Sequence, residues 1–277
     1  MTKPAAQCLD MSDEYYKSCG VTRGSKKGFD VNSIEDGDII FIKTDFIFNG
    51  EFQKRFLSLI KKKFILVSGV SSYSVSEGHQ TYKDILENKY LIRWFCTNPP
   101  VDMHEKMEWL PIGFEEKERE GGNQALLRTF YDKEFDWQSK KDRIYIPYHG
   151  STYGTRKHNI EMVSALPNVD VERSRLEFKS YLEKISEYKF VLSLRGAGWD
   201  CHRHYEVLLT NSIPIMDGGP IMCEFMRGNM PVLDIEDAKN GIKTVDPVFD
   251  KTKLLSASYA DNILKCQKNY FINKYKN

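Results

Sequence analysis

The 277-residue chain lacks long apolar runs: its most hydrophobic stretches, such as Phe64 to Val67 and Ile213 to Met216, are far shorter than the ~20 residues a membrane-spanning helix requires. The N-terminus, with Lys3, Pro4 and Gln7 before Asp10, has no continuous apolar segment of the secretory type. A soluble, cytoplasmic protein with no membrane span is the expectation. Net charge is nearly absent as well. Forty Lys and Arg against 39 Asp and Glu leave no field that favours nucleic acid or an anionic membrane. The six cysteines (8, 19, 96, 201, 223 and 266) follow no repeated spacing, which speaks for free thiols rather than a disulfide framework. Repeats and low-complexity tracts are missing too.

What the chain does have is ample core material, 41% hydrophobic and 13% aromatic, in a length that accommodates two domains. After a loop-rich lead-in of ~30 residues, a strand at 38–43 is followed by a helical stretch from Glu51 to Lys62, with Phe52, Phe56, Leu59 and Ile60 on one face. Further strands follow at 64–68 and 91–96, with a helix near 82–87 between them. Residues 110–142, rich in Gly and charge, read as a linker. Beyond them the alternation is cleaner: strands at 143–147, 169–172, 189–194 and 213–216, separated by helices at 155–165, 176–188 and 202–209. A helix near 221–226 and a strand at 232–235 would complete a doubly wound α/β unit. A last helical pattern, 256–275, would pack back on the first domain.

The stretch from Lys189 to Leu209 is the most informative. A buried strand enters a loop with Gly196 and Gly198, and the loop enters a helix. Ligands of open α/β sheets sit beyond the carboxyl ends of the strands, and the free N–H groups of a helix N-terminus favour a diphosphate. Arg195 and Arg203 add charge for a departing nucleoside diphosphate. Glu206, three residues after Arg203 on the same helix face, could accept hydrogen bonds from ribose hydroxyls.

This run, from Phe190 to Ile215, resembles the donor-binding segment of exostosin-like glycosyltransferases, the relatives of glycosyltransferase family 47: a strand, an Arg-Gly-x-Gly loop, an Arg-x-x-Glu helix and an Ile-Pro-Ile strand in that order. Weaker echoes lie at Ile42-Lys43-Thr44-Asp45, Trp94-Phe95 with Asn98, Leu110-Pro111-Ile112-Gly113, and Tyr148-His149-Gly150-Ser151 with Arg156. The resemblance covers most of residues 38 to 235. It implies an α/β fold of GT-B architecture, two Rossmann-like lobes facing a central cleft. The acceptor lobe would span 1–135, joined by the C-terminal helix 256–277, and the nucleotide-sugar lobe 136–255. It implies transfer of a sugar from a UDP-linked donor to a hydroxyl of a glycan acceptor, with inversion, no cofactor and no catalytic metal. A chain without an anchor is similar to the soluble members encoded by large algal viruses, a xylosyltransferase among them, which would act in the host cytoplasm on xylose.

Carried over residue by residue, the resemblance makes His149, Gly150, Ser151, Thr152, Arg156, Ser193, Arg195, Gly196, Gly198, Asp200, His202, Arg203 and Glu206 the donor-binding set. One base from the first lobe, Asp45, Glu77 or His79, would deprotonate the acceptor. The sequence departs from its relatives at Ser68-Gly69-Val70-Ser71-Ser72, where an acid is common. Asp36-Gly37-Asp38 spells a metal-binding Asp-x-Asp, but it precedes a strand and therefore lies at the wrong end of a parallel sheet; Asp-Gly is also an ordinary turn pair. Cys201-His202-x-His204 has zinc-ligand residue types without a zinc spacing. Two other functions compete: a non-catalytic nucleotide- or glycan-binding module, and a glycoside hydrolase with paired carboxylates.

Overall fold

The computed structural model describes residues 8–9, 23–24, 31–69, 80–100, 103–110, 112–115, 119–150, 153–218, 231–242 and 247–249. It is an α/β protein with two parallel sheets. The chain divides into two compact units, one holding the described residues up to Ile112 and the other those from Gly113 onward. The expected helices at 221–226 and 256–277 lie outside the described residues.

The first sheet comprises β1 (Cys8–Leu9), β2 (Arg23–Gly24), β3 (Asp38–Lys43), β4 (Phe64–Gly69), β5 (Leu91–Cys96) and β6 (Met107–Trp109), in the order β2-β1-β3-β4-β5-β6. All six residues of β4 are buried, as a parallel strand covered on both faces requires. The core gathers Phe52, Phe64, Leu66, Trp94 and their neighbours. The Trp94 indole N–H donates to Ser68 Oγ at 2.9 Å, so the one polar atom of that ring is satisfied inside the core.

The single helix read from the sequence at 51–62 is in fact two short pieces, α2 (Glu51–Arg55) and a 3-10 turn at Leu57–Leu59, and a further short helix, α1 (Thr44–Phe48), precedes them. Gly50 breaks the first junction at φ 75° and Phe56, at φ −128°, breaks the second. Phe52, Phe56 and Ile60 still reach the core, but the change of pitch turns Leu59 outward, where it is 58% exposed. Helix α3 (Gln80–Leu86) then leads into β5.

The second unit begins earlier than the 136 read from the sequence. The supposed linker contains α4 (Gln124–Asp132), whose N-cap Asn123 accepts a hydrogen bond from the Leu126 amide at 3.1 Å. The strands of this unit are β7 (Lys141–Ile146), β8 (Val169–Val171), β9 (Tyr188–Leu192), β10 (Ile213–Met216) and β11 (Leu233–Asp234), in the order β11-β10-β9-β7-β8. Its helices are α5 (Arg156–Ser164), α6 (Phe178–Ser186), α7 (His202–Leu209) and the short α8 (Ile235–Lys239), which the sequence pattern did not separate from β11. Helix α4 packs on α7, and Phe114 meets Tyr205 of α7 edge-on, with ring centroids 6.4 Å apart. These contacts anchor the segment after Gly113 to the second unit. Asn168 and Asn211 adopt φ of 58° and 53°, each turning a helix into the next strand, a conformation that asparagine tolerates better than most residues.

Counting strands of the second sheet in chain order gives 2-1-3-4-5. The chain leaves β7 to one side for β8 and returns on the other side for β9. The crevice beyond the carboxyl ends of β7 and β9 is therefore the topological switch point, where doubly wound sheets take their ligands.

Candidate functional site

Two loops meet at the switch point: Pro147 to Gly150 after β7, and Ser193 to Gly198 after β9. His149 joins them. Its Nδ1 lies 2.6 Å from Pro147 O, and its Nε2 accepts from the Leu194 amide at 3.5 Å, which defines the Nδ1–H tautomer. Burial, reinforced by the nearby Arg203 charge, lowers the His149 pKa to about 2, so the ring stays neutral. Arg156, at the start of α5, clamps the same loops: its guanidinium donates to Arg195 O at 2.7 Å, Gly150 O at 2.9 Å and Leu194 O at 3.2 Å. Both residues thus hold backbone together.

Gly196 and Gly198 are not among the glycines at positive φ. The loop takes its shape from Cys201, whose sulfur accepts from the Gly196 amide at 3.0 Å and whose thiol donates to Gly198 O at 3.6 Å. Cys201 is the N-cap of α7 and makes no side-chain cap bond, so no side chain caps the amides of the first turn. Behind the loop, Ser193 Oγ donates to His204 Nδ1 at 2.7 Å, and His204 Nε2 donates to Trp199 O at 3.0 Å. Asp200 accepts from the Tyr205 hydroxyl at 3.1 Å, and His202 Nδ1 donates to Gly113 O at 2.7 Å. Ser193, Asp200 and His204 are buried supports of the loop. His202 and His204 engage different partners, and no group of three or more metal-ligand side chains occurs among the described residues.

The two arginines expected to act together are separated. A cavity of about 970 Å³, within the range typical of small-molecule sites, is lined by Arg203 and Glu206 from α7, Tyr145 to Gly150 in part, the loop from Glu172 to Phe178, and Tyr181 of α6. Arg195 lines a different, smaller cavity of about 310 Å³ with Tyr153, Asn159 and Asp217. Its guanidinium sits 4.5 Å from the centre of the Tyr153 ring, and its amide donates to Asp217 at 2.6 Å.

In the large cavity, Arg203 donates to Tyr148 O at 3.2 Å and lies 5.8 Å from the centre of the Tyr181 ring. Glu206 is only 8% exposed. Burial raises its pKa, while Arg203 opposes the rise. Of the residues read from the sequence, Gly150, Arg203 and Glu206 line this cavity. Ser151, Thr152, Glu77 and His79 lie outside the described residues. Asp45 stands in the first turn of α1, directly after β3, with Oδ2 3.7 Å from Lys43 Nζ. The Asp36 and Asp38 carboxylates accept from the backbone amides of Lys63 and Glu35, and Gly37 has φ 82°, so this Asp-x-Asp is a turn at the entry to β3.

Sequence reasoning missed Tyr145, Tyr181 and the loop after β8. A signal for Tyr145 was present, since a tyrosine inside a strand with buried neighbours on both sides needs somewhere to place its hydroxyl. No helix among the described residues is long and apolar enough to cross a membrane. Neither a family model nor a curated protein matches the sequence.

Proposed function

We propose that the protein is a glycosyltransferase that binds a UDP-sugar in the large cavity of its second unit and transfers the sugar, xylose being one candidate, to a hydroxyl of a glycan acceptor. The observation that carries this reading is that Arg203 and Glu206, one turn apart on α7, face one cavity that also takes in Pro147, Tyr148 and Gly150 beyond the carboxyl end of β7 and the loop after β8. In this reading Glu206 accepts from the ribose hydroxyls. Arg203 and the uncapped amides of α7 offset the charge that builds on the departing diphosphate. Arg156 and His149 fix the loops so that these donors need no reorganisation during the reaction. Arg195, which the resemblance assigned to the diphosphate, instead faces the smaller cavity. Transfer proceeds with inversion, and a general base takes the acceptor proton. The donor is held by protein groups, with neither cofactor nor metal.

Thermal-shift titration with UDP, GDP, CMP and a panel of UDP-sugars in EDTA tests the reading. UDP and at least one UDP-sugar are expected to raise the melting temperature selectively. Arg203→Ala is expected to lower kcat/KM for UDP release by the equivalent of about 2–4 kcal/mol. Unchanged turnover in that variant would overturn the role of Arg203. Stabilisation by UDP with no release of UDP from any sugar nucleotide would mark a nucleotide-binding module instead of an enzyme.

A further inference from the structure

Three polar atoms in the lining of the large cavity are buried and lack a hydrogen-bond partner among the described residues: the hydroxyl oxygens of Tyr145 and Tyr181, and Nε of Arg203. Such atoms are uncommon in folded proteins, because a buried donor without a partner forfeits roughly 1–3 kcal/mol of solvation. Nor do they arise from loose packing. Tyr145 is 2% exposed and stacks on Tyr188, with ring centroids 4.8 Å apart and planes inclined by 24°. Tyr181 belongs to α6 and faces Arg203 of α7. Both hydroxyls are held neutral: burial raises their pKa values, and the carboxylates of Glu172, for Tyr145, and Glu206, for Tyr181, which lie near the hydroxyls without meeting hydrogen-bond geometry, add to the rise. The floor therefore offers neutral hydroxyls beside the apolar side chains of Phe178 and Leu176. That chemistry suits an uncharged group with its own hydrogen-bonding edge.

We infer that Tyr145 and Tyr181 are specificity-determining residues whose hydroxyls hydrogen-bond the nucleoside portion of the nucleotide, and that these bonds exist only in the complex. The inference rests on the donor-site reading above and adds to it which atoms recognise the uncharged half of the ligand.

Its signature separates it from a structural role. A tyrosine whose hydroxyl supports the fold loses stability on conversion to phenylalanine. One whose hydroxyl waits for ligand loses affinity instead, since phenylalanine removes a buried polar atom that lacks a partner. The experiment compares the full-length wild type with Tyr145→Phe, Tyr181→Phe and, as a control, Tyr188→Phe, whose hydroxyl interacts with Asp170 outside the cavity. Melting temperature without ligand and affinity for UDP and for uridine are measured by calorimetry. Tyr145→Phe and Tyr181→Phe are expected to melt at the wild-type temperature or up to about 4 °C above it, and to bind both UDP and uridine about 3- to 10-fold more weakly. Tyr188→Phe, whose hydroxyl lies outside the cavity, is expected to bind normally. Unchanged affinity in both cavity variants, with UDP still bound by the wild type, overturns the inference and leaves the donor-site reading standing. A loss seen with UDP but not with uridine also overturns it, because the contact would then lie on the phosphates. Failure of every nucleotide to bind the wild type overturns the donor site itself and the inference with it.

Discussion

His204 and Glu206 stand two residues apart on α7, both buried, and burial moves them in opposite directions. The His204 pKa is lowered to about 4, so the folded state keeps the ring neutral while the unfolded chain takes up a proton below its ordinary 6.5. The unfolded state then binds more protons, and stability falls as the pH drops from 6.5 toward 4. His149, lowered further, acts in the same sense. Glu206, with a raised pKa, has the opposite sign: its contribution is fully present below the ordinary carboxylate value and is lost as the pH rises. Urea unfolding of wild type and His204→Gln across this range is expected to show a slope shallower by about 1.4 kcal/mol per pH unit in the variant. Equal slopes would mean that His204 is charged in the folded protein. At this scale the sequence revealed residue types but not their orientation. Arg203 and Glu206 were legible because three residues on a helix is a fixed geometry. The direction of Arg195 was not legible because a loop of non-helical residues gives no such rule; its guanidinium lies over the Tyr153 ring and donates to Ala197 O at 3.0 Å.

Among the elements, the joint between α6 and α7 depends on a residue that neither helix contains. Lys140, 7% exposed, precedes β7, and its ammonium donates to Thr210 O at 2.9 Å, Ser212 Oγ at 3.2 Å and Ser186 O. Ser186 ends α6 and Thr210 caps α7, so one cation serves the negative ends of two helices. Lys140→Met keeps the aliphatic stem but strands these buried acceptors; a loss of roughly 2–4 kcal/mol of unfolding free energy is expected. A change below about 0.5 kcal/mol would show that water replaces the ammonium without penalty. Long strands such as β3 to β5 and β7, and helices α5, α6 and α7, were readable from their apolar periods, whereas α4 was not. Strand β6, three residues long, carries too little pattern to register, whereas β11 falls within the strand expected at 232–235. The 51–62 stretch misled because its apolar spacing satisfies a helix, while Phe56 imposes a break that only the backbone reveals.

For the whole molecule, each unit has its own sheet and its own core, and the large cavity is lined by residues 115 to 206 alone. The fragment from Gly113 to Tyr259 is therefore expected to fold by itself and to keep the UDP-induced rise in melting temperature. A fragment that folds but ignores UDP would show that residues before 113 are needed for the nucleotide. The two-unit plan was legible from the alternation of strands and helices. The boundary was not, because the Gly- and charge-rich composition of 110–122 masked a helix whose single side-chain cap, Asn123, is a weak signal against that background.

The hydroxyls of Tyr145 and Tyr181 also mark where stability and recognition pull in opposite directions. Exchanging both for phenylalanine removes two buried polar atoms at no cost to packing. A screen for thermostable variants run without ligand is therefore expected to return phenylalanine at these two positions, and the stabilised variants to be the ones that bind nucleotide worst.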